Sequence, residues 1–436
     1  MTTPQRFERN LPVLLEETYL TGIPDYRDDL VRRIATTRQR PAWMFPKRWL
    51  PMDLTTERVL VPRTPWRALA LIGLIALVLA ASAAIFIGAQ SRRPDPFGLA
   101  ATGKVAYEAG GDIYAADPTT GSATAVVTGA ATESRPRFSR DGTRIAFARD
   151  AGGGRSDIIV VRADGSDEVR LTTEPVTLTP SILGEPWDQF QFSPDGRAVV
   201  IASQEDGLAG IMIAQADGSG VRTFDLGMAA YEPSFRPPDG SEILFVGRSG
   251  MGVFGLFALD VASASVRTIV EGVPGYDLAG ANWSPTGDRI AYWRWGGPNP
   301  LDGLTARTHI VAADGTADTL LPQPDDAIWD AGSEWSNDGT RLILVRGYSP
   351  LYEDVRLAVV PADGSSTGIE LRDPEKLNRE CCIALEWAPD DSWILATPSG
   401  VDGAPLQQRV IDPRTGASTP AAWRTTSDPT VQRTAP

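Results

Sequence analysis

Few side chains in this sequence are placed to do chemistry, and number and spacing limit each of them. There is one histidine, His309. A Ser-His-Asp relay is built around a histidine and a histidine metal centre needs several, so a single one makes both poor expectations. The two cysteines are neighbours, Cys381 and Cys382. One adjacent pair builds neither a disulfide framework nor a cysteine metal site. It is either two ordinary thiols or a strained vicinal disulfide. An α/β-hydrolase nucleophile sits in Gly-x-Ser-x-Gly, and the nearest string, Gly247-Arg248-Ser249-Gly250, lacks that spacing. Gly152-Gly153-Gly154 is followed by no Lys-Ser/Thr, so it reads as a hairpin tip and not as a phosphate loop. Repeated Asp-Gly pairs lack the Asp-x-Asp-x-Asp-Gly spacing of a calcium loop and read as turns. The sequence therefore predicts no catalytic residue, no metal ligand and no cofactor, and a chain that is not an enzyme.

The elements around these residues are more informative. Gly (42) and Pro (35) are abundant without a collagen period, as in a protein of many hairpins. A repeat begins near residue 138. Phe138-Ser139-Arg140-Asp141-Gly142 is followed by the apolar run Ile145-Ala146-Phe147. Phe192-Ser193-Pro194-Asp195-Gly196 and the longer Phe235-Arg236-Pro237-Pro238-Asp239-Gly240 return the pattern. So do Trp283-Ser284-Pro285-Thr286-Gly287, Trp335-Ser336-Asn337-Asp338-Gly339 and Trp387-Ala388-Pro389-Asp390-Asp391. The aromatics recur 43 to 54 residues apart.

A second turn follows in most units: Ala163-Asp164-Gly165-Ser166, Ala216-Asp217-Gly218-Ser219, Ala313-Asp314-Gly315-Thr316 and Ala362-Asp363-Gly364-Ser365. Asp-Gly suits a tight hairpin in which both central residues take φ > 0. Two hairpins make four strands, one propeller blade. Residues 103–129 supply another blade, with Lys104–Tyr107 as its inner strand, so seven blades are expected, with six or eight also open. A lone blade exposes two apolar faces, and radial stacking covers both. The recurring Phe or Trp should pack between neighbours. This run resembles the TolB-type propellers with WD-like repeats. That resemblance implies a fold and leaves function open, because such propellers serve as scaffolds, peptidase gates and signalling modules.

The fold class expected is thus all-β, a seven-bladed β-propeller over residues 103–425. Before it come a cytosolic arm (1–66), a transmembrane helix (67–89) and a linker (90–102); a disordered tail (426–436) follows it. Residues 68–89 carry no Asp, Glu, Lys or Arg. As a helix they would span about 33 Å, enough for a hydrocarbon core. A leader of 66 residues is too long for a signal peptide, so the segment reads as an uncleaved anchor. Lys47, Arg48, Arg58, Arg63 and Arg67 on one side outweigh Arg92, Arg93 and Lys104 on the other. That bias puts the N-terminus in the cytosol and the propeller outside, in a single-pass cell-membrane protein.

Net charge is −14, and the acidic body beyond the arm would repel nucleic acid. In the arm, residues 7–20 and a stretch from Pro24 to about Arg40 have helical apolar spacing. Arg38, Arg40, Trp43, Phe45, Arg48 and Trp49 then interleave charge and aromatics among prolines. They suit either a lipid headgroup layer or docking of a cytosolic partner. This run resembles juxtamembrane segments of bacterial membrane proteins with an anti-sigma-like layout, which implies a cytosolic regulator such as a sigma factor. The His-x-x-x-Cys-x-x-Cys of the zinc-type anti-sigma proteins is missing. The functional expectation is a membrane-anchored scaffold or sensor, without catalysis, that binds a protein or small ligand at a propeller face. A transmembrane signal transducer is the first alternative. A hydrolase with acids around a propeller channel is the second.

Overall fold

A computed structural model describes residues 95–179, 189–205, 208–248, 252–296, 305–349, 354–371, 383–398, 406–425 and 428–435. The arm, the apolar segment 68–89 and the Cys381–Cys382 pair lie outside the described residues. Among the described residues no helix is long and apolar enough to cross a membrane.

The described residues form seven antiparallel sheets. Each is one blade, and consecutive inner strands touch until the seventh meets the first. Blade 2 shows the pattern: Glu133–Phe138 inside, then Arg144–Gly152, Arg155–Arg162 and the short Val169–Arg170. Blades 4 to 7 begin at the inner strands Ala229–Phe235, Tyr276–Trp283, Trp329–Trp335 and Ile383–Trp387. In blade 3 two short pieces, Thr177–Leu178 and Phe190–Phe192, share the inner position against Ala198–Glu205.

Blade 1 corrects two expectations. Its inner strand is Thr430–Thr434, from the end of the chain, and Ala101–Ala109 is second. The residues expected as a disordered tail thus close the ring. The strand is held from several sides. Val431 pairs with Val105, and the Gln432 amide donates to the Gly142 carbonyl at 2.7 Å. Arg433 donates to the Asn337 side-chain oxygen at 2.7 Å and to the Gly98 carbonyl at 2.6 Å. A Cβ on Gly142 would stand 2.0 Å from the Arg433 carbonyl, so that turn admits only glycine.

The Asp-Gly turns are built differently from the expected form. Gly142, Gly196 and Gly339 have φ of 66°, 69° and 68°, while the aspartates before them stay at negative φ. Of these two central residues only the glycine takes a left-handed φ. The aspartate works through its side chain: Asp338 accepts the Thr340 N–H at 2.9 Å and the Ser336 hydroxyl at 2.6 Å. In the second turns the Thr316 hydroxyl and N–H hold the Asp314 carboxyl below the usual carboxylate range. Blade 7 puts Asp391 where the others have glycine, at φ 57°. The strain is offset because its carboxylate accepts the backbone N–H of Asn337 at 2.7 Å and of Asp338 at 3.0 Å, both in blade 6.

The repeat aromatics pack between blades, as expected. Phe192, Phe235, Trp283, Trp335 and Trp387 are buried. The Trp335 indole donates to the Asn282 carbonyl at 3.3 Å, and that of Trp387 to the Glu334 carbonyl at 3.2 Å. At the three tryptophan junctions an arginine of the preceding blade lies over the ring. Arg289 lies 5.0 Å over Trp335 and donates to the Gly339 carbonyl at 3.0 Å. Arg236 does the same at Trp283 and the Gly287 carbonyl.

Candidate functional site

The inner strands surround a central cavity of about 360 Å³. The residue just before each repeat aromatic lines it: Arg137, Gln191, Ser234, Asn282, Glu334 and Glu386. Thr430 completes the level in blade 1, pairing with Ala106 as Arg137 pairs with Ala146. Every blade thus contributes a polar side chain beside an apolar inter-blade core. In blades 2, 4, 5 and 6 the inner strand carries a recurring irregularity just before this position. Register slips at Ser134/Arg137, Tyr231/Ser234, Ala279/Asn282 and Ala331/Glu334. The extra residue in each takes a left-handed φ: Arg135, Glu232, Gly280 and Gly332. Such a bulge bends the strand and re-aims the side chains after it. Arg135 and Glu232 are not glycine, so strain is stored there. Hydrogen bonds from Arg135 to the Gln189 side chain (2.7 Å) and from Gly280 N–H to Glu232 (2.9 Å) offset it.

The charges are unevenly set. Arg137 faces Asp428 at 3.7 Å. Burial pulls Arg433 down to about 10, helped by repulsion from Arg140 and opposed by Asp391 and Asp95. Burial pushes Glu386 up to about 7, against the Val431 N–H that it accepts at 2.8 Å and the fields of Arg137 and Arg140. A carboxyl titrating near neutrality inside a cavity is a common mark of a functional site. On the opposite side, Ser234 Oγ, Asn282 Oδ1, Trp283 Nε1 and Ser333 Oγ are buried without a hydrogen-bond partner. Unsatisfied polar atoms are costly in a protein interior, and four of them belong to residues that line this one cavity.

Glu386 carries a prediction for stability. Its pKa rises from 4.5 to about 7 on folding, so the folded state holds the proton more tightly. The stabilisation is fully present below pH 4.5 and is lost as pH climbs through 7. Glu386→Gln should flatten that part of the stability curve in urea titrations between about pH 4 and 8. Parallel curves for variant and wild type would show that the proton on Glu386 is not coupled to folding.

The solitary histidine sits elsewhere. His309 Nδ1 lies 3.1 Å from Asp318, whose other oxygen accepts the Tyr292 hydroxyl at 2.8 Å, and the two rings stack. The cluster lies on the outer strands of blade 5. Among the described residues no group of His, Cys, Asp and Glu could hold a metal ion. The arm residues Arg38, Arg40, Trp43, Phe45, Arg48 and Trp49 lie outside the described residues. Sequence reasoning named none of the channel residues as a site, although two signals pointed to them. The position before each aromatic is always polar. Arg140 also stands where Pro194, Pro285 and Pro389 stand in other repeats.

No family model matches the chain, and no curated protein matches it in sequence. Solved structures do match in shape. An oligogalacturonate lyase from Vibrio parahaemolyticus is 14% identical, with 74% of this chain and 86% of that one covered, at a TM-score of 0.53. A prolyl endopeptidase is 14% identical over 78% of this chain and 51% of its own, at 0.50. TolB from Acinetobacter baumannii is 13% identical over 75% and 81%, at 0.45. At these identities the likeness is one of fold. It overturns the expectation that the chain is not an enzyme. That expectation came from missing motifs, yet propellers of this shape occur in a lyase and in peptidases. The seven sheets, the closed ring and the likeness to the lyase and endopeptidase structures make the described residues a seven-bladed β-propeller, as the resemblance to TolB-type repeats implied.

Proposed function

We propose that the chain is a binding protein that takes a small ligand into its central channel. Residues 68–89 anchor it in this proposal, with the propeller outside the cytosol. The observation that carries the binding part is the polar level lining the cavity, one residue from each blade, with unpartnered buried polar atoms beside it. A propeller that only filled space could carry apolar residues there. The uncharged run and the basic bias before it support the anchor and its direction.

The test uses detergent-purified full-length protein in a thermal-shift panel of neutral, cationic and anionic small molecules. At least one class should raise the melting temperature, and Ser234→Trp, which fills the channel, should abolish the shift. Equal stabilisation of the filled variant would place binding elsewhere and end the proposal. A second reading rests on the basic-aromatic run of the arm, with Arg38, Arg40, Trp43, Phe45, Arg48 and Trp49 docking a cytosolic regulator such as a sigma factor. Co-purification with residues 1–66 as bait supports it if a cytosolic partner is retained, and rejects it if none is.

A further inference from the structure

The channel holds one arginine that structure alone leaves unused. Arg137 is matched by Asp428. Arg433 gives its two terminal nitrogens to the Asp95 and Gly98 carbonyls and to Asn337, and its Nε is buried and out of a ligand's reach. Arg140 differs. Its guanidinium lies 5.0 Å over the Phe97 ring, and among the described residues no hydrogen bond or ion pair reaches it. Stacking occupies one face of the guanidinium and leaves the in-plane N–H donors open, the arrangement that suits bidentate capture of a planar anion. Arg140 is accessible to water yet stands in the cavity wall, and burial pulls its pKa below the usual arginine value. It is therefore a cation in the cavity wall, open to water, with no counter-ion in contact.

The surroundings limit the size of the missing charge. Glu386 and Glu334 act on Arg140 across the channel without touching it. They would repel a dianion such as phosphate. A single carboxylate is tolerated, because Glu386 also takes up a proton near neutrality. The rest of the ligand would meet Phe97 and Phe138, the half-buried rings that line the same cavity. Aromatic walls and a volume of about 360 Å³ favour a flat, apolar body.

We propose that the channel binds an aromatic or similarly apolar monocarboxylate, its carboxylate held by the stacked guanidinium of Arg140. The inference rests on the binding reading above and names the ligand class of that site. Binding should tighten as pH falls through neutrality. The charged groups facing Glu386 are Arg137 and Arg140 from blade 2 and Asp428 from the segment leading into the closing strand; a proton on Glu386 removes the carboxylate repulsion next to the bound anion.

The probes are benzoate and indole-3-acetate, with benzamide, benzylamine and inorganic phosphate as controls, measured by calorimetry on full-length protein in detergent. One of the two carboxylates should bind at least about tenfold more tightly than the controls, and Arg140→Gln should weaken it about tenfold, the usual worth of a charged hydrogen-bonded pair. Arg140→Lys, which keeps the charge and loses the fork, should fall between. Unchanged melting of both variants would show that they fold. Carboxylate binding unaffected by either variant overturns the inference. Benzylamine or benzamide binding best, and being lost in Ser234→Trp, also overturns it while leaving the binding reading in place. Binding of no probe overturns the inference, and the broader panel then decides the binding reading by itself.

Discussion

Deleting residues 430–436 should unfold the propeller or lower its stability by on the order of 5 kcal/mol or more. The strand at Thr430–Thr434 is the inner edge of blade 1, yet it arrives from the far end of the chain. Its loss exposes the edge of Ala101–Ala109 to the channel and removes Val431 from a cluster with Val105, Tyr107, Leu395 and Trp423. Burial of one valine is worth roughly 1.5–3 kcal/mol, and each lost ladder bond about 1 kcal/mol. The strand also bridges blades 2, 6 and 7 through Gln432, Arg433 and the Val431 N–H. A domain is stable by only about 5–15 kcal/mol, so this loss decides whether the ring forms. Val431→Asp should lower the urea midpoint by a similar route without shortening the chain. Midpoints equal to wild type for both variants would mean that the ring is closed some other way.

Arg346→Ala should cost about 3–5 kcal/mol. The arginine is fully buried in blade 6, and Asp330 opposite is 1% exposed. Two bonds of 2.8 Å join them in a fork, and a third reaches the Thr367 carbonyl at 2.9 Å. Removing the cation leaves the aspartate buried without its partner, which costs more than the pair itself contributes. Arg346→Met with Asp330→Leu should therefore recover most of the loss, because no uncompensated charge remains. Glu370, 3.9 Å from Arg346, keeps Arg356 at 2.9 Å in that double variant. Urea denaturation of the single and double variants checks this. A double variant as weak as the single one would show that the pair does more than neutralise itself.

The same pairing recurs in blade 2, where Arg149 meets the buried Glu133 at 2.8 Å, again directly across the inner pair of strands. Neither pair was legible in the sequence. Glu133 and Arg149 are neighbours only once the register is known, and the bulge at Ser134/Arg137 shifts that register. The blades were legible for the opposite reason. Each depends on contacts a few residues apart: Ser336 with Asp338, Asp338 with Thr340, the aromatic beside its turn. Local chemistry of this kind repeats in the string as it repeats in space. The closing strand depends on pairing Val105 with Val431 at the other end of the propeller, and Thr-Val-Gln-Arg-Thr alone carries no sign of its partner. The channel was half legible. A polar residue precedes every repeat aromatic, but nothing local shows that these six residues face one space. Glu386 looks ordinary in sequence; burial in that space gives it its altered proton affinity.

Amide hydrogen exchange on the full-length protein, with and without the molecule that stabilises it best, tests whether ligand enters the channel and not an outer surface. The prediction is slowed exchange at the inner-strand segments 135–137, 232–234, 280–282 and 332–334 and at Val431, with the outer strands unchanged. Protection confined to outer strands or to the arm, with those inner segments unaltered, would contradict it.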